Sequence, residues 1–131
     1  MGGGFALLCA PRPGFAVASV NYGVVPADAE KALAGSCPIV GSFGARDVGG
    51  TKAPERLQRA LVVLEVEHDV HVYPESGHRF MSQSSGFGGV MAKIMRMNYN
   101  ARDAADSWRR IFAFIDTELR GSNEEKTQTA D

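Results

Sequence analysis

The chain has 131 residues, 44% of them hydrophobic, with 14 Lys and Arg against 15 Asp and Glu, three His and two Cys. That suits a single globular domain and excludes both a two-domain protein and a chain that is disordered as a whole. A formal charge of -1 with interspersed signs offers no basic face to nucleic acid, and no apolar stretch nears the ~20 residues that a membrane-spanning helix needs.

Met1-Gly2-Gly3-Gly4 opens the chain and runs into Phe5 to Ala10, an apolar stretch of helical composition that stops at Pro11-Arg12-Pro13-Gly14. Each glycine costs about 1 kcal/mol against alanine in a helix, so three together predict that backbone there approaches something closely. Phe15 to Tyr22 is apolar and β-rich, closed by Gly23, and reads as a strand buried on both faces. Asp28 to Ala34 follows Pro26 as a short helical turn. Cys37 to Gly44 makes a second strand, with Pro38 near its start, where a missing ladder donor does least harm. From Pro54 to Val66, Leu57, Leu61 and Leu64 recur at helical spacing, which predicts an amphipathic helix covering a sheet. Asp69 to Tyr73 alternates and stops at Pro74, giving a third strand; Ser82 to Gly89 is Ser- and Gly-rich and reads as a mobile loop. The last helix, about Ala101 to Leu119, sets Ala101, Ala104, Ala105, Trp108, Ile111, Phe112, Ile115 and Leu119 on one stripe meant for a core, with Arg109 and Arg110 on the wet side. Residues 121–131 are polar and aperiodic and read as a disordered tail.

Helices alternating with strands describe a parallel α/β sheet with right-handed crossovers. Three strands leave a naked edge, so association through that edge is expected. In doubly wound sheets, ligands meet the loops at the carboxyl ends of the strands. Asp47 follows the second strand and His78 follows the third, which predicts that the two side chains meet on one rim. An acid and then a histidine in chain order match the last two members of a nucleophile-acid-histidine triad. There the histidine takes a proton from a nucleophile that is weak at its free pKa, while the acid fixes the ring's tautomer.

The other polar candidates receive structural readings. Cys9 and Cys37 share no metal-type spacing with His68, His71 or His78, and read as buried, inert thiols. His68 and His71 fit in and beside a strand. Met91, Ile94, Met95 and Met97 read as packing, with an acyl pocket or lid as the alternative. The absence of a Gly-x-Gly-x-x-Gly or P-loop pattern argues against a nucleotide-binding domain.

Taken together, MGGGFAL, FAVASVNYG, CPIVGSFGARD, VHVYPESGHRF and ARDAADSWRRIFAFIDTEL resemble the second half of a dienelactone hydrolase family protein, from just after its nucleophile elbow. The resemblance implies residues 1–120 as the C-terminal part of a doubly wound α/β-hydrolase sheet, about three parallel strands with flanking helices. It implies hydrolysis of carboxylic esters or lactones by nucleophile-His-Asp acyl transfer, with Asp47 as the orienting acid and His78 as the base. The elbow Gly-x-nucleophile-x-Gly would end on Met1-Gly2, which puts the nucleophile, Cys or Ser, just before Met1 and an oxyanion-hole donor at Met1. The expected partner is a small-molecule ester or lactone, with no cofactor, metal, nucleic acid or membrane, and a cytoplasmic location. The chain by itself is expected to be inactive, and the alternative is a non-catalytic half-domain that associates with another chain. Some family members hold a substrate carboxylate with an Arg shortly after the histidine, whereas here Ser82 stands four residues on and Arg79 is close by.

Overall fold

The computed structural model describes residues 2–47, 52–83 and 99–128, with side chains as far as residue 121. The elements run α1 (Gly2–Cys9), β1 (Ala18–Asn21), α2 (Ala29–Ala32), β2 (Ile39–Gly44), α3 (Ala53–Val63), β3 (His68–Tyr73) and α4 (Ala101–Gln128). The three strands form one parallel sheet in the order β1-β2-β3. The fold is therefore α/β with flanking helices, as the alternation of elements predicts. No described helix is long and apolar enough to cross a membrane.

Side chains alternate across a strand, so the register divides the sheet into two faces. Ala18, Val20, Ile39 and Phe43 face α1, α2 and α3, where they join Leu7, Leu33, Leu57 and Leu61 in the main apolar cluster. Val40 and Ser42, aligned with Asp69 and His71, face α4. Central strand β2 is buried throughout, whereas β1 alternates between buried and half-buried. The first strand is shorter than the sequence suggests, and Phe15 lies outside it, exposed.

One of the three opening glycines has a clear packing reason. A Cβ on Gly3 would lie 2.6 Å from the Asn21 carbonyl oxygen and 2.8 Å from the Gly23 Cα, and one on Gly23 would meet the Gly3 carbonyl carbon at 2.6 Å. Helix α1 thus rests directly on the end of β1, a closeness that side chains would forbid.

Helix α4 corrects two expectations. Ala104, Ser107 and Ile111 are buried, but Trp108 is 46% exposed and Phe112 63% exposed, stacked on each other with ring centroids 5.7 Å apart. The apolar stripe is wider than the part of a three-stranded sheet that it crosses, so its outer half stays in water. The helix also continues to Gln128 instead of ending at Leu119. Glu, Lys and Gln in that segment are good helix formers, and propagating an existing helix costs little.

Candidate active site

The carboxyl ends of β2 and β3 are tied together by backbone. Ala45 N–H donates to the Tyr73 carbonyl at 2.9 Å, and Arg46 N–H donates to the Ser76 carbonyl at 2.9 Å. The approach depends on Gly44, where a Cβ would lie 2.4 Å from the Ser76 carbonyl oxygen and 2.6 Å from that of Gly77. The Arg46–Glu75 ion pair spans the same two loops on the surface. Two loops locked at this distance carry their next polar residues, Asp47 and His78, into reach of each other.

His78 Nδ1 and Asp47 Oδ2 are 2.7 Å apart, with side chains 31% and 14% exposed respectively. A carboxylate only accepts, so Nδ1 carries the proton. Among the described residues the other ring nitrogen, Nε2, makes no hydrogen bond. This is a half-buried histidine with one nitrogen oriented by an acid and the other available as a base.

The loop that carries His78 is anchored to α4. Asn100 caps that helix, its Oδ1 accepting from Asp103 N–H at 3.2 Å and its own backbone N–H donating to the Phe80 carbonyl at 2.9 Å. Asp103 Oδ2 accepts from Ser76 Oγ at 2.6 Å and from Asn100 Nδ2 at 2.8 Å. Beneath the loop, Phe80 is fully buried, with ring centroids 5.0 Å from Tyr73 and 6.0 Å from Tyr22. Tyr22 also lies 5.2 Å from the His78 ring, and its hydroxyl is 3.0 Å from Ser82 Oγ. Tyr73 donates to Asp106 at 3.0 Å; burial first, then that carboxylate, pushes the phenol up to about 12. Asp106 is held below the usual carboxylate range, first by Arg109 and then by Tyr73.

Of the residues singled out in the sequence, Asp47 and His78 come together. Met1 lies outside the described residues, as do Met91, Ile94, Met95 and Met97 and residues 84–89 of the Ser- and Gly-rich stretch. His68 Nδ1 bonds the Val66 carbonyl at 2.7 Å and the His71 and Tyr73 rings meet edge-on at 4.5 Å, so both do structural work. Both cysteines are free but half-buried, less enclosed than expected, and burial pushes the Cys37 thiol up. Each sits at the wrong rim. Cys37 precedes β2 while Asp47 follows it, a separation of about 20 Å at ~3.3 Å per strand residue, and Cys37 N–H bonds Ala10, next to Cys9. No group of three or more metal-type ligands occurs among the described residues. Arg79 is exposed, and Ser82 is tied to Tyr22. Gly44, Tyr22 and the Ser76–Asp103 bond escape sequence reasoning; the only local signal was Tyr22 and Gly44 at strand ends.

Comparison with solved structures establishes the α/β-hydrolase fold. A crystal structure of an inferred dienelactone hydrolase from Klebsiella pneumoniae subsp. pneumoniae superposes with a TM-score of 0.65 at 23% identity, over 86% of this chain and 47% of that one. The sequence profile of the dienelactone hydrolase family matches residues 1–119, and the chain belongs to that family. An inferred carboxymethylenebutenolidase of Synechocystis sp. is 28% identical over 129 residues, 91% of this chain and 48% of the relative. The chain thus spans about half the length of the relatives it matches.

Proposed function

We propose that this chain carries the acid and base of a site that hydrolyses carboxylic esters or lactones. The 2.7 Å bond between His78 and Asp47, made by loops from adjacent strand ends, is the observation that carries the reading. Membership of the family and the name of the Synechocystis relative favour the substrate class.

In this mechanism His78 Nε2 takes the proton of a Cys or Ser nucleophile, which attacks the acyl carbonyl. Asp47 keeps the proton on Nδ1 and stabilises the imidazolium that forms. The tetrahedral intermediate collapses as His78 returns the proton to the leaving alkoxide. His78 then deprotonates water, which releases the acid and regenerates the nucleophile. The nucleophile belongs to an elbow that ends on Met1-Gly2, with the Met1 backbone N–H as one oxyanion donor. Cys9 and Cys37, at the opposite rim, do not fill that role.

The test is hydrolysis of a nitrophenyl ester and a simple lactone by the 131-residue chain and by the same residues joined behind the first half of a dienelactone hydrolase family protein that ends in its Gly-x-Cys or Gly-x-Ser segment. The lone chain is expected to stay at background. The joined protein is expected to turn over, falling about 10³- to 10⁴-fold in Asp47→Asn and to background in His78→Ala. Turnover by the lone chain that is lost in His78→Ala would refute the nucleophile's placement, and turnover indifferent to both substitutions would refute the pair's role.

A second reading is favoured by a specific surface. Among the described residues, β1 has no neighbour on its outer side, Ser19 Oγ and Asn21 Oδ1 are buried without a partner, and Phe5, Leu8 and Val24 are exposed around a cavity of about 350 Å³. On this reading the chain is a non-catalytic half-domain that joins another polypeptide along β1. A stable monomer by light scattering would count against it.

A further inference from the structure

Three described non-glycine residues take the left-handed backbone conformation: Tyr22 (φ 42°), Glu65 (φ 53°) and Arg79 (φ 65°). That conformation is least comfortable for bulky side chains, and it persists where the surroundings over-determine it. Two of the three are at the site, since Arg79 follows His78 and Tyr22 packs against it. The forces that hold Tyr22 are visible. Its N–H donates to the Ser42 carbonyl at 2.8 Å, and Gly3 packs so near both its neighbours that a Cβ there would lie 2.6 Å from the Asn21 carbonyl oxygen and 2.8 Å from the Gly23 Cα.

One loop grips Tyr22 with three alternate residues. The His78 ring lies 5.2 Å from the tyrosine ring at 58°, Phe80 meets it edge-on at 6.0 Å and 74°, and Ser82 Oγ lies 3.0 Å from its hydroxyl. The Asp47 bond alone sets the position of Nδ1 but leaves the imidazole free to swing about that contact. A ring packed against the imidazole removes this freedom, and Phe80, edge-on to the same ring, braces it as a second contact.

We infer that Tyr22, through its ring, is a positioning residue that holds the His78 imidazole where Nδ1 meets Asp47 and Nε2 is presented as the base. The inference rests on the reading of His78 as base given above, but its first readout does not depend on activity. That readout is the solvent exchange of the His78 Nδ1 proton, followed by NMR in the 131-residue protein, with thermal melting as a control. Tyr22→Leu and Tyr22→Asn are expected to speed exchange about tenfold while Tyr22→Phe, which keeps the ring, stays within about twofold. Asn accepts the left-handed conformation, so it separates loss of the ring from backbone strain if the Leu variant does not fold. Unchanged exchange in a Tyr22→Asn protein that melts normally would overturn the inference.

The second readout uses the joined, catalytically competent protein. Tyr22→Asn is expected to lower kcat about tenfold at unchanged KM for a small nitrophenyl ester, with Tyr22→Phe restoring most of it. A raised KM at unchanged kcat would make Tyr22 a substrate contact and overturn the positioning role. Faster exchange in a protein without His78-dependent turnover would uphold the positioning of the ring and sink the hydrolase reading instead.

Discussion

On one face of the sheet, Val20, Ile39 and Phe43 meet Leu7, Leu33, Leu57 and Leu61; on the other, Ser42, Asp69 and Tyr73 meet α4 through Ser107, Arg110 and Asp106. The first contact is non-directional and tolerates small shifts, and it supplies most of the burial. The second is built from hydrogen bonds with fixed geometry, and the same helix holds the His78 loop through Asn100 and Asp103. Burial on one side makes the domain stable, while directional bonds on the other set where the histidine stands.

The comparison breaks most visibly in the apolar face. Leu57, fully buried beneath Gly41, should cost about 2–5 kcal/mol as Leu57→Ala in urea unfolding. The rim itself is next. Gly44→Ala drives a methyl into the Ser76 and Gly77 carbonyls, and overpacking of this kind costs about 1–3 kcal/mol. It should also separate the Asp47 and His78 loops, unlike Leu57→Ala, so loss of the His78 Nδ1–H signal in NMR distinguishes the two variants.

A smaller effect sharpens the contrast on the polar face. Ser107 donates to Ser42 at 2.6 Å, with Met81 Sδ 3.1 Å away, and both serines are buried. Ser107→Ala leaves the Ser42 hydroxyl without this partner and should cost about 1–3 kcal/mol, whereas the Ser42→Ala/Ser107→Ala double variant should recover part of it. Additive losses in a double-mutant cycle would show that the bond is not what links α4 to β2.

The smallest effect is confined to alkaline solution. Tyr73 is raised from about 10 to about 12, which means that the folded chain favours the neutral phenol. Its contribution is complete below about pH 10 and is lost as pH rises toward 12, so stability should fall across that window. Tyr73→Phe should show a flatter pH dependence there, measured by denaturant midpoints.

Much of this was legible in the chain itself because it depends on short-range pattern. Leu57 and Leu61 at helical spacing, alternation in β3 and Gly-Pro punctuation mark the elements, and chain order places Asp47 and His78 at neighbouring strand ends. What was not legible depends on contacts between distant segments. Trp108 and Phe112 share a stripe with Ile111, but how far the sheet extends beneath a helix is a property of the tertiary fold. Likewise Gly44 against Ser76, Gly3 against Gly23, and Tyr22 against His78 pair residues far apart in the chain, and no local spacing encodes such meetings. The helix beyond Leu119 shows the converse: polar sequence without periodicity can still prolong a helix that has already formed.

The central claim is that Asp47 orients the His78 ring, and the tautomer of that ring tests it most directly. Long-range ¹H–¹⁵N correlation spectra of the 131-residue protein, at a pH where the imidazole is neutral, read which nitrogen holds the proton. The account predicts the Nδ1–H form in the native chain, and a mixture in Asp47→Asn, because an amide can donate as well as accept. A native His78 protonated at Nε2, or the same tautomer balance with and without the Asp47 carboxylate, would contradict it.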